Sequence, residues 1–187
     1  MLTLEEKREL LQVARQTLQD YFENKKLTAV SPLESLKEKK GAFVTLHHEG
    51  KLKGCIGHLA ADEPLFLVIQ KMAIAAATGD PRFPPVSPEE LSAMDIEISV
   101  LSPFQEIHSV EEIVVGRDGL YVVQGPRRGL LLPQVATEWG WDPEAFLAQT
   151  CVKAGLPREV WKKGGVLIFS FTAEVFGEKT IQEEKKS

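Results

Sequence analysis

At 187 residues the chain is long enough for one domain of ordinary size, or for one domain with a small appended lobe. Its composition is 43% hydrophobic and 26% charged, which is typical of a soluble globular protein whose core needs no disulfide or metal. The formal net charge of −5 argues against a dedicated nucleic-acid-binding protein, because such proteins usually carry a basic excess.

The N-terminal segment predicts an amphipathic helix over residues 3–22. Apolar residues recur at helical spacing from Leu4 to Phe22, and Thr3 with Glu6 forms a capping box at the start. We expect this helix to be an appended lobe of a single domain that spans residues 1–187.

No segment of the sequence is typical of a secretory signal or a membrane span. The first residues lack a basic region followed by an apolar run, and the most apolar stretch, residues 65–77, contains Gln70 and Lys71. The sequence therefore predicts a cytoplasmic protein without membrane association. In that reducing compartment Cys55 and Cys151 are expected to be free thiols.

The stretch "AFVTLHHEGKLKGCIG", residues 42–57, predicts a β-hairpin. We expect a three-residue loop that ends at Gly50, because a two-residue turn would force Glu49 to a positive φ. This register places Cys55 opposite Phe43, on the side of the hairpin away from the apolar core face. That second face is mixed and carries Phe43, Thr45, His47, Lys51, Lys53 and Cys55.

The remaining chain predicts alternating helices and strands. In order, they are a buried helix between Pro64 and Gly79, a proline-rich link over 80–88, a strand from 94, a mixed link over 105–119, a second hairpin over 119–136, a helix between Asp142 and Gly155, a long final strand over 165–177 and a charged tail over 178–187.

These elements repeat, which suggests an internal duplication. Gly41-Ala-Phe-Val and Gly119-Leu-Tyr-Val begin hairpins that lie 78 residues apart, so repeat 1 covers about residues 41–102 and repeat 2 about 119–177. With this spacing Cys55 corresponds to Pro133, and the second repeat has no equivalent thiol. We expect an α+β fold: two hairpin–helix–strand repeats around one largely antiparallel sheet, with an N-terminal helix.

Several stretches match a known family. They are "GAFVTL" (41–46), "LKGCIG" (52–57), "DPRFPP" (80–85), "DIEISVL" (95–101), "GLLLPQV" (129–135), "WGWD" (139–142) and "KAGL" (153–156). On these residues the chain resembles the AMMECR domain family, also described as protein A of the AmmeMemoRadiSam system. The resemblance implies two β/α repeats around one sheet, and Memo-type and radical-SAM proteins as partners. It implies no reaction, because the activity of the family is not established.

The central motif departs from the family pattern at two positions. The family usually has Leu-Arg-Gly-Cys-Ile-Gly followed by a threonine or serine, whereas this chain has Lys53 and His58 at the arginine and hydroxyl positions. Lys53 keeps the positive charge but loses the planar fork with which arginine binds a carboxylate or phosphate. His58 adds a titratable group.

Cys55 is the first candidate for a functional residue. Lys53, expected on the same side of the strand, would lower the pKa of the thiol, and Gly54 and Gly57 would leave room for a ligand. These features favour a reactive or ligand-contacting thiol, with His58 as the candidate base. The alternative is that Cys55 only fills space under a loop.

The segment "DPRFPP" contributes the second candidate, Arg82. The neighbouring prolines restrict the position of Arg82 at little cost in entropy, which suits anion binding, while Asp80 is expected to cap or pair locally. We expect the segment to fold across the Cys55 face. Arg82 and Lys53 would then form a positive rim for a small anionic ligand, beside Phe43 in a groove.

The sequence predicts no cofactor and no metal. It contains no Walker A loop, dinucleotide-binding fingerprint, Cys-x-x-Cys pair or nucleophile elbow. A metal at Cys55 is disfavoured because His47 lies at the far end of the hairpin, roughly 13 Å along the strand.

Three functions are compatible with these residues. The preferred one is a small accessory or binding protein with a ligand or partner groove around "LKGCIG". The second is an enzyme that uses the Cys55 thiol, so the question of enzymatic activity stays open. The third is a nucleic-acid-associated module, suggested by an antiparallel sheet with an aromatic residue on its open face and disfavoured by the net charge.

Overall fold

The computed structural model describes residues 1–28 and 33–183 of the chain. Residues 29–32, and residues 184–187 of the predicted charged tail, lie outside the described residues. The fold divides into two compact units. Unit 1 contains Met1–Leu101 and the C-terminal residues from Glu174, and unit 2 contains Ser102–Ala173.

Five α-helices and eight strands make up the described fold. The helices are α1 (Leu4–Phe22), α2 (Leu65–Thr78), α3 (Pro133–Glu138), α4 (Pro143–Lys153) and α5 (Glu178–Glu183). The strands are β1 (Ala42–His48), β2 (Lys51–His58), β3 (Met94–Leu101), β4 (Gln105–Glu106), β5 (Gly119–Gln124), β6 (Arg127–Leu131), β7 (Leu167–Phe171) and β8 (Ala173–Gly177). Short 3-10 turns occur at Glu34–Lys37, Leu91–Ala93, Val110–Glu112 and Val160–Lys163.

The helix boundaries follow the capping residues of the sequence. Thr3 and Glu6 form the predicted capping box of α1, and Gly79 ends α2 by donating its N–H to the carbonyl oxygen of Ala75. Asp142 caps α4 through a hydrogen bond from the backbone N–H of Ala145. Among the described helices, none is long and apolar enough to cross a membrane.

The α+β class and the antiparallel strands are confirmed, but the strands form two sheets where a single sheet was predicted. The strand order is β2-β1-β3-β8 in one sheet and β4-β7-β5-β6 in the other. The predicted final strand over 165–177 is interrupted at Thr172, so β7 pairs in one sheet and β8 in the other. The apolar pattern continues across Thr172, and the sequence therefore does not reveal the interruption.

The two sheets have the same connectivity. In each, the second strand of a hairpin lies at one edge, the first strand is its neighbour, and the strand after the next helix comes third. This agreement fits the proposed duplication, which stays a prediction. The predicted limits of repeat 2 need correction, because β8 pairs in the first sheet and the helix α3 follows β6 directly.

Both ends of the described chain pack into unit 1, where the sequence analysis expected a lobe and a charged tail. Leu10, Ala14 and Leu18 of α1 are fully buried in the same core as β1, β3 and α2. Residues 178–183 form α5, and Glu178 accepts a hydrogen bond from Arg15 Nε over 2.9 Å. Charged residues in this segment thus anchor the helix through a specific ion pair.

The first hairpin has a two-residue turn instead of the predicted three-residue loop. Glu49 and Gly50 have φ values of 50° and 76°, and Lys53 is the extra residue of a bulge in β2. The strain of a non-glycine residue at positive φ, about 1 kcal/mol, did not prevent this turn. As a result, Cys55 pairs with Thr45 and not with Phe43.

Gly54 sets the distance between α2 and the hairpin. A Cβ atom at Gly54 would lie 2.0 Å from the carbonyl oxygen of Ala76, so the helix backbone occupies the space of a side chain. We predict that Gly54→Ala lowers the free energy of unfolding by about 3 kcal/mol, because the helix must move away from β2. Urea unfolding curves measure this change.

The matched control for this variant is Cys55→Ala on the same strand. It removes an atom from a partly exposed side chain and adds none, so the loss of stability should be much smaller than for Gly54→Ala. Equal unfolding midpoints for Gly54→Ala and the unmodified chain would contradict the requirement for close approach.

Candidate functional site

Cys55 lies on β2, at the edge of the first sheet, with a partly exposed side chain. Its cross-strand neighbour on β1 is Thr45, whose Oγ1 donates a hydrogen bond to Cys55 Sγ over 3.2 Å. Glu97 on β3 is the next residue in the same row. The thiol thus lies in a row of polar side chains, on the opposite face of the sheet from α2.

The backbone of Cys55 is held by two side chains from the segment that follows α2. Its N–H donates to Asp80 Oδ2 over 2.9 Å, and Arg82 Nη2 donates to its carbonyl oxygen over 3.4 Å. Both backbone groups point to the outer side of β2, as the N–H and C=O of one residue in an antiparallel strand do. The two side chains take the place of a neighbouring strand and close the sheet edge.

We call Cys55, Thr45, Asp80 and Arg82 the Cys55 edge. Within it, Asp80 is an almost fully buried carboxylate, with only 2% of its side chain exposed. It accepts hydrogen bonds from Arg82 Nε over 2.9 Å and Nη2 over 2.7 Å, which is the bidentate geometry of a strong ion pair. The local pairing expected for Asp80 is confirmed.

The hydrogen bonds from Arg82 also determine the charge state of Asp80. They hold the pKa of Asp80 well below its usual range, although burial acts in the opposite direction. The N–H groups of Cys55 and Arg82 add to this effect. Asp80 therefore remains an ionised carboxylate at neutral pH.

The helix α2 brings Asp80 to the edge strand. Its backbone lies against Gly54, and it ends at Gly79, so the next residue is next to Cys55. The chain then returns to the helix, where the N–H of Val86 donates to the carbonyl oxygen of Ala77 over 2.8 Å. The segment "DPRFPP" is therefore fixed at both of its ends.

Burial raises the pKa of the Cys55 thiol above its ordinary value. The hydrogen bond from Thr45 and the positive charge of Arg82 lower it, but burial together with the negative charges of Asp80 and Glu97 outweighs them. Arg82 therefore has the electrostatic role that the sequence analysis assigned to Lys53. Lys53 is the bulge residue, and its Nζ lies 3.4 Å from Glu90 Oε1.

His58 is directed away from the thiol. It lies opposite Ala42, a residue of the core face, at the end of β2. Its Nε2 is 2.7 Å from Asp62 Oδ1. Because Cys55 projects from the other face of the same strand, the structure does not bring the candidate base to the thiol.

A group that the sequence analysis did not single out surrounds this histidine. His58, Asp62 and Glu63 each bring one potential metal ligand atom to within 4.8 Å of the others. Asp62 is bonded to His58, and Glu63 forms an ion pair with Lys71. Internal contacts thus satisfy these side chains.

The two glycines of the motif serve packing. The backbone of Ala76 fills the space beside Gly54, and the ring of Phe43 lies against Gly57, where a Cβ would be 2.3 Å from Phe43 Cδ1. The room that the sequence analysis assigned to a ligand at these positions is therefore occupied by the chain itself. Phe43 lies on the same face as Cys55, as predicted, but it pairs with Gly57 and not with Cys55.

Lys53 belongs to β2 and Arg82 contacts its outer edge, but each of the two cations has an acidic partner. Arg82 is paired with Asp80, and Lys53 with Glu90. The polar contacts of "DPRFPP" with Cys55 are made at the outer edge of β2. The predicted positive rim is therefore a pair of neutralised cations.

The sequence analysis did not predict the roles that two residues have at this site. Asp80 was expected to pair locally, but its bond to the backbone of Cys55 links positions 25 residues apart. Glu97, whose charge also raises the pKa of Cys55, was not singled out by the sequence analysis. The sequence signal that could have indicated the role of Asp80 is its position directly after a helix, two residues before Arg82.

Comparison with known proteins gives consistent matches over almost the whole chain. The AMMECR1 family model matches residues 11–176. A protein of Methanothermobacter thermautotrophicus is 45% identical, over 95% of this chain and 96% of its own length. Protein MJ0810 of Methanocaldococcus jannaschii is 44% identical, over 95% and 92% of the two chains. The crystal structure of the uncharacterized protein PH0010 from Pyrococcus horikoshii has a TM-score of 0.82 at 43% identity, over 90% of this chain and 89% of that one.

The ionised Asp80 makes stability depend on pH. Because its folded pKa is lower than that of the unfolded chain, its contribution is complete above roughly pH 5 and is lost as the pH falls through the folded pKa. We predict that Asp80→Asn lowers the free energy of unfolding by about 2 kcal/mol at pH 7, and by less at pH 3. Urea unfolding at both pH values tests this. A loss that is the same at both would contradict the role of the charge.

The exposure of the two thiols predicts different reactivity. Cys55 is partly exposed and Cys151 is fully buried. Iodoacetamide should therefore alkylate Cys55 before Cys151 in the native protein, as read by mass spectrometry of peptides. His58→Ala is the control, and it should leave the rate at Cys55 unchanged because the histidine lies on the other face of β2. A large decrease in that variant would restore His58 as the base.

Proposed function

The chain belongs to the AMMECR1 family, and we propose that it is a binding protein whose ligand or partner docks at the Cys55 edge. The proposal depends chiefly on the state of Arg82. Its Nε and Nη2 are engaged by Asp80 and Cys55, while Nη1 has no hydrogen-bond partner among the described residues. About half of the side chain, 53%, is exposed.

The guanidinium group of Arg82 is therefore held in place with donors still available for a further hydrogen bond. Two hydrogen bonds to a buried carboxylate restrict its rotation, so little conformational entropy is lost when a further acceptor binds. The Cys55 thiol lies beside it and offers a soft, weakly polar contact. A ligand that bears an acceptor group and a small apolar part would satisfy both.

The chemistry of Arg82 favours a carboxylate or carbonyl group as the acceptor. We therefore propose a small anionic ligand. The charge of Arg82 is already balanced by Asp80, and an anion would compete with Glu90 for Lys53. Such a site would bind a carboxylate by directed hydrogen bonds more than by net charge.

The geometry favours binding over thiol catalysis. A nucleophilic cysteine needs a lowered pKa and a base within hydrogen-bond reach. Burial raises the pKa of Cys55, and the side-chain contact of its sulfur is a hydroxyl donor, Thr45. A docking contact requires neither an ionised thiol nor a base.

Memo-type and radical-SAM proteins are the partners that we propose from the family. A partner loop that presents a carboxylate or a backbone carbonyl to Arg82 would use the same contacts as a small ligand. Nucleic acid is disfavoured because Asp80, Glu90 and Glu97 are close to this edge, and the net charge is −5. We also propose a reducing location such as the cytoplasm, since both cysteines are free.

Two alkylating reagents of similar size test the role of Arg82. Iodoacetate carries a carboxylate and iodoacetamide does not, so a donor beside Cys55 should favour iodoacetate. We predict that Arg82→Lys lowers the ratio of the iodoacetate rate to the iodoacetamide rate at Cys55 by about a factor of ten, because the lysine keeps the charge but loses the free Nη1 donors. Mass spectrometry of the Cys55 peptide gives both rates.

The matched control is Arg117→Lys in unit 2. Arg117 binds the buried carboxylate of Asp118 with Nε and Nη2 over 2.7 and 2.8 Å, as Arg82 binds Asp80, but these bonds do not involve Cys55. Its replacement should leave the rate ratio unchanged. An unchanged ratio in Arg82→Lys as well would remove the support for an acceptor site at the Cys55 edge.

A further inference from the structure

The outer edge of strand β6 pairs with no other strand of the described sheet. This strand is the last of its sheet, and the turn at Gly125 pairs Gln124 with Arg127. In a hairpin with a two-residue turn this pair is hydrogen-bonded, and the bonding then alternates along the ladder. The N–H and C=O groups of Arg128 and Leu130 therefore point outward, away from β5.

Comparison with unit 1 shows what closes the equivalent edge there. Each hairpin has a glycine on its second strand where a helix backbone approaches closely: Gly54 against Ala76 of α2, and Gly129 against Ala154 at the C-terminal end of α4. By this match Leu130, and not the predicted Pro133, stands at the position of Cys55 in the second sheet.

The segments after the two helices also correspond. "GDPR", residues 79–82, follows α2, and "GLPR", residues 155–158, follows α4. Leu156 stands where unit 1 has Asp80, and it is buried. An apolar side chain cannot accept a hydrogen bond from a strand amide. Within the described part of unit 2, β6 thus lacks the carboxylate that closes β2.

Three cationic side chains lie near this unpaired edge. Arg127, Arg128 and Lys153 are exposed, and none of them forms an ion pair within the described residues. Arg127 Nη1 donates to the carbonyl oxygen of Gly155 over 3.2 Å, which places its charge at the end of α4, near Lys153. Arg128 projects from the opposite face of β6. An added strand would therefore have cations on both of its faces.

We propose that the outer edge of β6 is a docking site for an acidic, extended segment of a partner protein. The segment adds as a strand beyond β6, where the outward backbone groups of Arg128 and Leu130 supply its hydrogen bonds. Acidic side chains on alternate positions face Arg127 and Lys153 on one side, or Arg128 on the other. This surface is made of residues other than those of the Cys55 edge, and it selects a partner by strand pairing and charge.

The test uses a fluorescein-labelled peptide of alternating glutamate and valine, about six residues long, with a lysine–valine peptide of equal length for comparison. Fluorescence anisotropy with the full chain should show binding of the glutamate peptide that is at least about tenfold tighter than that of the lysine peptide. Amide hydrogen exchange at Arg128 and Leu130, followed by NMR, should slow when the glutamate peptide is present.

Two variants separate strand pairing from charge. Leu130→Pro removes an outward N–H, and an edge strand tolerates proline at such a position, so circular dichroism should be retained while peptide binding is lost. Arg128→Glu should weaken binding by about tenfold, whereas Lys163→Glu, which changes the net charge equally at an exposed residue of unit 2, should not.

Three results would overturn the proposal. The first is equal binding of the two peptides, and the second is binding that persists in Leu130→Pro. The third is self-association of the unmodified chain, seen by sedimentation velocity and abolished by Leu130→Pro, because it would identify a second copy of the chain as the occupant of the edge.

Discussion

The buried carboxylate of Asp80 links the end of a helix to the edge of a sheet, and the geometry around Cys55 depends on that link. It accepts the backbone N–H of Cys55 and two side-chain hydrogen bonds from Arg82. Without these donors a buried charge would be costly. The close approach of α2 to Gly54 positions the end of the helix next to β2. Asp80, which follows Gly79, can therefore reach the backbone of Cys55.

The same ion pair acts on the thiol in two directions. Burial is the main reason that the pKa of Cys55 is raised; the charge of Arg82 lowers this pKa, while the charges of Asp80 and Glu97 raise it. The result is a protonated, hydrogen-bonded thiol in a rigid edge. Such a group is suited to recognition, where a fixed position matters more than nucleophilic strength.

The two units show that the strand order does not require this ion pair. Both sheets place the second hairpin strand at an edge, yet unit 2 has Leu130 and Leu156 at the positions of Cys55 and Asp80. A buried ion pair is by itself weak evidence for a role in stability. The Asp80–Arg82 pair bonds the backbone of an edge strand, and unit 2 has no equivalent contact on β6 among the described residues, so the pair is better explained by what that edge does than by the fold.

The sequence by itself determined the local features: the caps and spacing of α1, α2 and α4, the placement of Cys55 on the face away from the core, and the family to which the chain belongs. These depend on neighbours within a few residues, where spacing and side-chain type suffice. Only the tertiary structure decided the Glu49 turn and bulge, the division of the last strand between two sheets, and the bond from Asp80 to Cys55. Each involves residues far apart in sequence or a competition between small energies, and periodicity carries no information about either.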